Sequence, residues 1–162
     1  MRKPLRKNRN EIRDEEPAPF GVLGILVEDG CLARIEFLKS GTSLLPPSDP
    51  VSEAACRQIE AYLSDPEFEF DIPLMLRGTP FQKKVWAQIS KIPGGKTRQY
   101  GDIARDLCSA PRAVGQACGS NPVPIVIPCH RVVSRAGLGG FMHHGEGEPL
   151  SIKRWLINHE SD

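Results

Sequence analysis

The segment around a Pro-Cys-His-Arg sequence constrains the fold of this chain more than any other feature. In PVPIVIPCHRVV, a proline-bracketed apolar run leads into Cys129 and His130. Adjacent residues of an extended strand point to opposite faces, so the thiol and the imidazole can share a site only if the chain turns there. Pro128 favours such a turn. Without further context, the simpler interpretation is a small buried thiol next to a hydrogen-bonded core histidine.

The charge of the chain is distributed unevenly. Its 162 residues include 21 Lys+Arg and 20 Asp+Glu, for a formal net charge of +1, which argues against a nucleic-acid-binding protein because such domains are usually basic. However, residues 1–76 carry a net charge of −5, residues 77–135 carry +8, and the remainder carries −2. This asymmetry indicates a polyanion-binding segment inside a neutral protein. A solvated basic face is the alternative.

The composition limits the class of protein. With 40% hydrophobic and 25% charged residues, the chain is typical of one globular domain or two small ones. No apolar run approaches the roughly 18–20 residues that span a bilayer, and the basic N-terminus lacks the apolar stretch of a secretory signal. An odd number of cysteines without CxxC spacing favours reduced thiols in a cytoplasmic protein. His143 and His144 are adjacent in a Gly/Glu-rich loop, a pattern that rarely completes a metal site, so no metal is expected.

The first part of the chain predicts a small α+β domain over residues 19–76, after a disordered basic tail over residues 1–18. Asp29-Gly30 lies between two apolar runs, which is a strong hairpin signal. SEAACRQIEAYLSD has helical spacing and ends at a proline, and FEFDIPLML alternates enough to indicate another strand. This domain shows no visible chemistry.

The second part, residues 77–162, predicts short helices. Thr79-Pro80 forms a helix start before FQKKVWAQISKI, and GDIARDL and RAVGQACGSNP form two more helices joined by a tight turn. Two short helices in this arrangement indicate a helix-turn-helix, although helix pairs in ordinary cores have the same spacing. Their location in the basic segment favours DNA binding.

At this point the sequence resembles a known family. NPVPIVIPCHRVV is similar to the active-site signature of the O6-alkylguanine-DNA alkyltransferases, also called methylated-DNA–protein-cysteine methyltransferases. The resemblance continues through RGTPFQKKVW, PRAVGQACGSNP and SIKRWLINHE, and it covers essentially all of residues 77–162. The first part resembles the family's variable N-terminal domain only in size and outline.

The resemblance implies an α+β fold. A small N-terminal antiparallel sheet with a helix would precede a mostly helical, winged-helix-like C-terminal domain that contains the helix-turn-helix. It also implies DNA repair by direct reversal. An alkyl group would pass irreversibly from O6 of guanine in DNA to the protein's own Cys129, once per molecule and without a cofactor.

The resemblance also implies a catalytic relay. Cys129 matches the alkyl acceptor, whose thiolate is the nucleophile and whose ordinary pKa of about 8.5 requires help to ionise. His130 matches the base, which acts through a bridging water. Glu160, in the last helix, matches the carboxylate that orients the histidine, in the manner of a catalytic triad. Taken alone, Glu160 is more simply a solvated carboxylate near the chain end.

Further positions match the family's substrate contacts. Tyr100 matches the phenol that donates to the guanine and protonates the leaving base, although such a tyrosine is otherwise usually a packed aromatic. The backbone carbonyls of Cys129 and Val132 match those that receive the guanine amino group. Phe141 stands where the family usually has a tyrosine in the wall of the alkyl pocket, so an apolar wall survives without the hydroxyl.

The resemblance assigns other residues to double-stranded DNA that carries O6-alkylguanine. Arg112 matches an arginine finger that enters the base stack as the target base flips out. The alternative for Arg112 is an exposed contact to phosphate. Asn121 matches an asparagine that holds the DNA-binding element against the active-site strand. The recognition helix would lie in the minor groove and present small residues there, namely Ala113, Gly115 and Ala117.

The chain departs from the family pattern in two further places. The stretch between Tyr100 and Arg112 is two residues shorter than usual, which tightens the turn between the two helices. The loop over residues 142–149 is longer than usual, so the resemblance does not identify which backbone amide of the loop caps the base.

Two other functions remain open from the sequence. A non-catalytic, alkyltransferase-like lesion-binding protein would have a similar fold but would lack the acceptor, so the presence of Cys129 favours the enzyme. A DNA-binding regulator with a redox-sensing thiol would not require Tyr100 or Glu160. A monomer is the simplest expectation, located in the cytoplasm, or in the nucleus or nucleoid where the source cell requires it.

Overall fold

The chain divides into two compact units, Met1–Arg77 and Gly78–Asp162. The sequence places this boundary one residue earlier, between residues 76 and 77. The computed structural model describes residues 2–4, 21–38, 47, 49–143 and 148–161. Within those ranges no helix is both long and apolar enough to cross a bilayer.

The first unit contains a three-stranded antiparallel sheet in the order β1-β2-β3, formed by Arg2–Pro4, Val22–Glu28 and Cys31–Leu38. Asp29 and Gly30 join β2 to β3 with φ values of 50° and 73°, as a tight hairpin turn requires. The predicted disordered tail is wrong for residues 2–4, because β1 pairs with the free edge of β2, Lys3 opposite Ile25. A three-residue strand has no detectable alternation. The rest of the tail lies outside the described residues.

One helix, α1 (Pro50–Ser64), packs against β2 and β3. Asp49 caps its start by accepting hydrogen bonds from the backbone N–H and the hydroxyl of Ser52, both at 2.8 Å. Its buried face supplies core residues at helical spacing, namely Ala55, Ile59, Tyr62 and Leu63. The strand predicted in FEFDIPLML is wrong: only Leu74 pairs, as an isolated bridge with Leu32. Pro73 lacks an N–H and cannot extend the ladder.

In its described residues, the second unit contains four α-helices, one turn of 3-10 helix and one very short parallel sheet. The Thr79-Pro80 start forms a capping box, in which Thr79 Oγ1 accepts from the N–H of Gln82 at 3.1 Å and the Gln82 side chain accepts from the N–H of Thr79 at 2.9 Å. The elements, in chain order, are α2 (Pro80–Ile89), β4 (Arg98–Gln99), α3 (Tyr100–Asp106), α4 (Pro111–Gly119), β5 (Val132–Val133) and α5 (Glu148–Glu160).

The predicted pair of short helices is formed by α3 and α4, which pack against each other, and α4 also packs against α2. The shortened turn between them passes through Cys108 with φ of 53°, a left-handed conformation that lets the chain reverse in few residues. The indole N–H of Trp86, on α2, donates to the carbonyl of Ala117, on α4, at 2.9 Å inside the core. This bond fixes α4 against the rest of the unit.

Candidate active site

The predicted turn at Pro128 is formed by Cys129–Arg131, a single turn of 3-10 helix. The N–H of Arg131 donates to the carbonyl of Pro128 at 2.9 Å, and the N–H of Cys129 donates to that of Ile127 at 2.8 Å. The preceding apolar run is buried but is not a strand, since Ile125 has φ of 77°, which is rare for a β-branched residue. The turn buries Cys129 and His130 side by side, at 3% and 0% exposure.

Asn121 organises this turn from within. Its side-chain N–H donates to the carbonyl of Ile127 at 2.7 Å, and its carbonyl oxygen accepts from the N–H of Val123 at 2.9 Å. Burial raises the pKa of the Cys129 thiol to about 11, while a hydrogen bond from Asn121 and the charge of Lys153 act in the opposite direction. Asn121 thus both shapes the turn and favours the thiolate.

His130 pairs with Glu160, from the last turn of α5. His130 Nε2 lies 2.7 Å from Glu160 Oε2, and both side chains are buried. Because Nε2 faces the carboxylate, its proton belongs there, which leaves Nδ1 as an acceptor. Burial lowers the pKa of His130, although the hydrogen bond and the charge of Glu160 oppose this. Among the described side chains, Nδ1 is the one buried nitrogen or oxygen atom without a hydrogen-bond partner.

Arg131 completes this ion-pair network, a role that the sequence did not reveal. Its Nε and one terminal nitrogen each donate to a different oxygen of Glu160 at 2.8 Å, and its other terminal nitrogen donates to the carbonyl of Ile92 at 2.6 Å. Such a two-pronged bond fixes the plane of the carboxylate. The adjacent position in PCHR was the available signal, since the same turn that orients His130 also orients Arg131.

A second buried cation, Lys153, lies on the other side of the site. Its Nζ donates to the carbonyls of Val132 at 2.7 Å and Gly140 at 2.8 Å, and it lies 3.3 Å from the hydroxyl of Tyr100. Sequence reasoning missed Lys153. Lys153 lies seven residues before Glu160, and Leu156 lies between them. Because this is helical spacing, the three residues share the buried side of α5. The Val132 carbonyl, predicted to receive the guanine amino group, already accepts from this lysine.

Burial shifts the pKa values of the ionisable groups on this side of the site. Burial lowers the pKa of Lys153 to about 8, against the opposing influence of Cys129 and Cys118. Burial, together with the charges of the two cysteines, raises the pKa of Tyr100 to about 12. Tyr100 also packs closely on Gly139, where a β-carbon would lie 2.8 Å from the phenol oxygen. The phenol therefore stays protonated at neutral pH and is held in place.

A cavity of about 320 Å³ opens beside the thiol. Five of the eleven predicted site residues line it, and among these the exposed Arg112 lies at its edge on the first turn of α4. Phe141, 3% exposed, supplies the apolar wall. The cavity is lined by Tyr100, Arg112, Gly115, Gln116, Cys118, Gly119, Cys129, Gly140, Phe141, Met142 and His143.

The small residues of α4 that were predicted to contact DNA do not all lie on its exposed side. Ala113 and Gly115 are partly exposed. Ala117 was predicted to contact DNA, but it is 2% exposed and its side chain cannot reach a ligand from the core. The reason is helical spacing, because Ala117 follows the buried Val114 by three residues and shares its face.

A second thiol, Cys118, was not singled out by the sequence. It lines the same cavity as Cys129, and burial raises its pKa. None of the five cysteines forms a disulfide. Of the adjacent histidines in the following loop, His143 is described, whereas His144 lies outside the described residues. In the described ranges, no group of three or more His, Cys, Asp or Glu side chains could hold a metal ion.

A short helix pair in the same unit as a buried cysteine, whose neighbouring histidine is paired with a carboxylate, is the arrangement expected of a DNA-binding protein with a nucleophilic thiol. Comparisons with known proteins identify the family. A family model for the 6-O-methylguanine DNA methyltransferase DNA-binding domain matches residues 80–162. The methylated-DNA–protein-cysteine methyltransferase of Archaeoglobus fulgidus is 42% identical over 124 residues, which are 76% of this chain and 84% of that protein.

Other relatives match over more of the chain. The methylated-DNA–protein-cysteine methyltransferase of Mycobacterium tuberculosis is 41% identical over 152 residues, 88% of this chain and 88% of that protein. The crystal structure of Mycobacterium tuberculosis OGT in complex with DNA matches with a TM-score of 0.75 and 35% identity, covering 98% of this chain and 91% of that one. The chain belongs to the O6-alkylguanine-DNA alkyltransferase family, and the α+β fold expected from the resemblance is confirmed.

Proposed function

We propose that this protein repairs DNA by direct reversal, transferring a methyl or other alkyl group from O6 of guanine to its own Cys129 in one irreversible turnover. The observation that carries the proposal is the position of the Cys129 thiol, at the wall of a cavity and directly before a histidine that is paired with a buried carboxylate. The names of the relatives support the same chemistry.

The first chemical requirement is to remove the proton from the thiol. With a pKa of about 11, Cys129 is protonated at neutral pH and needs a base at the moment of attack. The unpartnered Nδ1 of neutral His130 is suited to accept this proton through a bridging water, while Glu160 steadies the imidazolium that forms.

The second requirement is to make guanine a good leaving group. As the sulfur–carbon bond forms, the bond from that carbon to O6 breaks and its electron pair stays with the guanine. The Tyr100 hydroxyl, protonated and at the cavity wall, donates a proton to the leaving base. The product thioether is stable, so each molecule acts once and needs no cofactor.

The DNA contacts follow from the exposed side of α4. We assign Arg112, at the cavity edge, to the gap left in the base stack, and Ala113 and Gly115 to the minor groove. Asn121 links the end of α4 to the turn that holds Cys129. The binding is mainly electrostatic and should weaken as salt rises. All of these residues come from one unit of one chain, which favours a monomer. We expect the protein to act in the cell compartment that holds the DNA.

The test follows a radiolabelled methyl group from O6-methylguanine in a duplex oligonucleotide onto the protein. We expect up to one label per chain, no label on Cys129→Ala with DNA binding retained, and undiminished stoichiometry for Cys118→Ala, which removes the other thiol of the cavity. Lesion binding without transfer by the unmodified protein would instead establish the non-catalytic alternative. Equal affinity for damaged and undamaged DNA without transfer would favour the redox regulator.

Arg112→Ala separates base flipping from chemistry. We expect transfer from duplex DNA to slow about tenfold or more, because base extrusion costs a few kcal/mol and the gap would stay unfilled. Transfer from free O6-alkylguanine, which needs no flipping, should change less than twofold by the same reasoning. Equal losses on both substrates would remove the finger role and leave Arg112 as a phosphate contact.

A further inference from the structure

The imidazole of His143 rests on the C-terminal end of α4 at a glycine. A β-carbon at Gly119 would lie 2.6 Å from Cε1 and 2.9 Å from Cγ of His143, closer than packed carbon atoms approach. The Nε2 atom also lies 3.3 Å from the hydroxyl of Ser120. The ring therefore occupies the space that any larger side chain at position 119 would take.

The same histidine forms part of the cavity wall. Together with Phe141 and Met142, it lines the space that also contains the Cys129 thiol. The backbone of this wall has an uncommon conformation, since Met142 and His143 have φ values of 53° and 68°. Left-handed backbone at two successive non-glycine residues persists only where packing holds it. The contact with Gly119 and Ser120 supplies such packing.

We propose that His143 determines substrate specificity. The imidazole of His143 packs against Gly119. This contact fixes the cavity wall next to α4 and limits the size of the alkyl group that reaches Cys129. The inference rests on the proposed alkyl transfer and adds which O6 substituents the site accepts. Methyl and other small groups fit beside the seated ring, whereas a group as wide as benzyl requires the imidazole to leave α4.

Two glycines of the same helix provide a matched pair for the test. Gly119 and Gly115 both line the cavity and lie one turn apart on α4. A β-carbon at Gly115 has nothing within 4 Å, whereas one at Gly119 meets the His143 ring. Gly119→Ala therefore unseats the histidine, and Gly115→Ala adds the same methyl group to the same helix without touching it.

The experiment measures the rate of transfer to Cys129 from oligonucleotides of one sequence that carry either O6-benzylguanine or O6-methylguanine. The ratio of the two rates cancels differences in DNA binding. We expect His143→Gly and Gly119→Ala each to raise the benzyl-to-methyl ratio about tenfold, the usual scale of steric discrimination in an apolar pocket. Because we assign Gly115 to the minor groove, Gly115→Ala can slow transfer from both oligonucleotides alike, but it should leave the ratio of the two rates within about twofold. Gly119→Ala should add nothing further to His143→Gly, since both remove one contact.

The outcomes separate this inference from the proposed function. If the unmodified protein transfers neither group, both are overturned. If it transfers methyl and His143→Gly leaves the ratio unchanged, or Gly115→Ala raises the ratio as much as Gly119→Ala, the inference alone is overturned. His143→Asn tolerates the left-handed backbone but carries a smaller side chain, so its ratio should be intermediate. It provides the same test if Gly119→Ala fails to fold.

Discussion

The two sides of the Cys129 thiol differ in how they hold a buried basic group. On one side, His130 shares the carboxylate of Glu160 with Arg131, so opposite charges lie within hydrogen-bond distance. On the other side, the ammonium of Lys153 donates to two backbone carbonyls and the Tyr100 hydroxyl, and none of these three acceptors, its partners within the described part of the chain, is a carboxylate. The first arrangement can accept the proton of the thiol, whereas the second places positive charge beside any anion that forms nearby.

This difference predicts the largest effect for loss of Glu160. Glu160→Gln should slow alkyl transfer about 100-fold or more, since His130 loses the group that orients it and stabilises its charged form. It should also lower the free energy of unfolding by about 3 kcal/mol, because Arg131, 12% exposed, loses its charged partner while His130 loses its buried one. Single-turnover kinetics and urea unfolding measure the two quantities.

An exposed ion pair is the control for this variant. Asp106 lies 3.0 Å from Arg98, and half of its side chain is open to solvent. Asp106→Asn should therefore cost less than about 1 kcal/mol, as exposed pairs usually do, with little change in transfer. Equal losses of unfolding free energy and transfer rate in the two variants would mean that the buried Glu160 network contributes no more than an exposed ion pair.

Loss of the cation on the other side should have a smaller kinetic effect. Lys153→Met removes positive charge near Cys129, so the apparent pKa of the thiol should rise and transfer at neutral pH should slow about tenfold. Arg154→Met, at the exposed neighbouring position on α5, should leave the pH profile unchanged. A slower rate with an unshifted pH profile in Lys153→Met would show that the lysine acts by packing alone.

The smallest expected effect is on stability at alkaline pH. Because the folded pKa of Lys153 is about 8 and its ordinary value is 10.5, the unfolded chain binds more protons between these values, and stability from this group rises with pH. Cys129, whose pKa burial raises to about 11, contributes stability that falls as pH rises from the ordinary pKa of a thiol to that value. Lys153→Met should therefore lose stability more steeply than the unmodified protein, and Cys129→Ser less steeply. Urea unfolding at successive pH values measures both slopes.

Local signals in the sequence predicted much of this structure. The Asp29-Gly30 turn and the Thr79-Pro80 helix start depend on the conformational preferences of a few adjacent residues, so they can be recognised without knowledge of the rest of the chain. Pro128 similarly indicated the turn that buries Cys129 and His130. The resemblance then supplied Glu160, which lies 30 residues from His130 and which no local pattern could connect to it.

The features that escaped prediction depend on distant contacts. Residues 2–4 form a strand only because the edge of β2 is open to them, and Pro73 ends a pattern that otherwise reads as a strand. Helical spacing places Lys153 on the buried side of α5, but only the distant carbonyls of Val132 and Gly140 explain why a cation is stable there. Ala117 was misassigned because a list of small residues ignores which face of the helix each one occupies.

The hydrogen bond from Trp86 to the Ala117 carbonyl has a practical consequence for observing this protein. The chain contains two tryptophans, and Trp86 is fully buried with its indole N–H bound to α4. Indole emission responds to the polarity around the ring, so any displacement of α4 changes the light that Trp86 emits. The protein thus carries on α2 an intrinsic fluorescent reporter of the position of α4, the helix that we assign to DNA, and it can be followed in solution without a label.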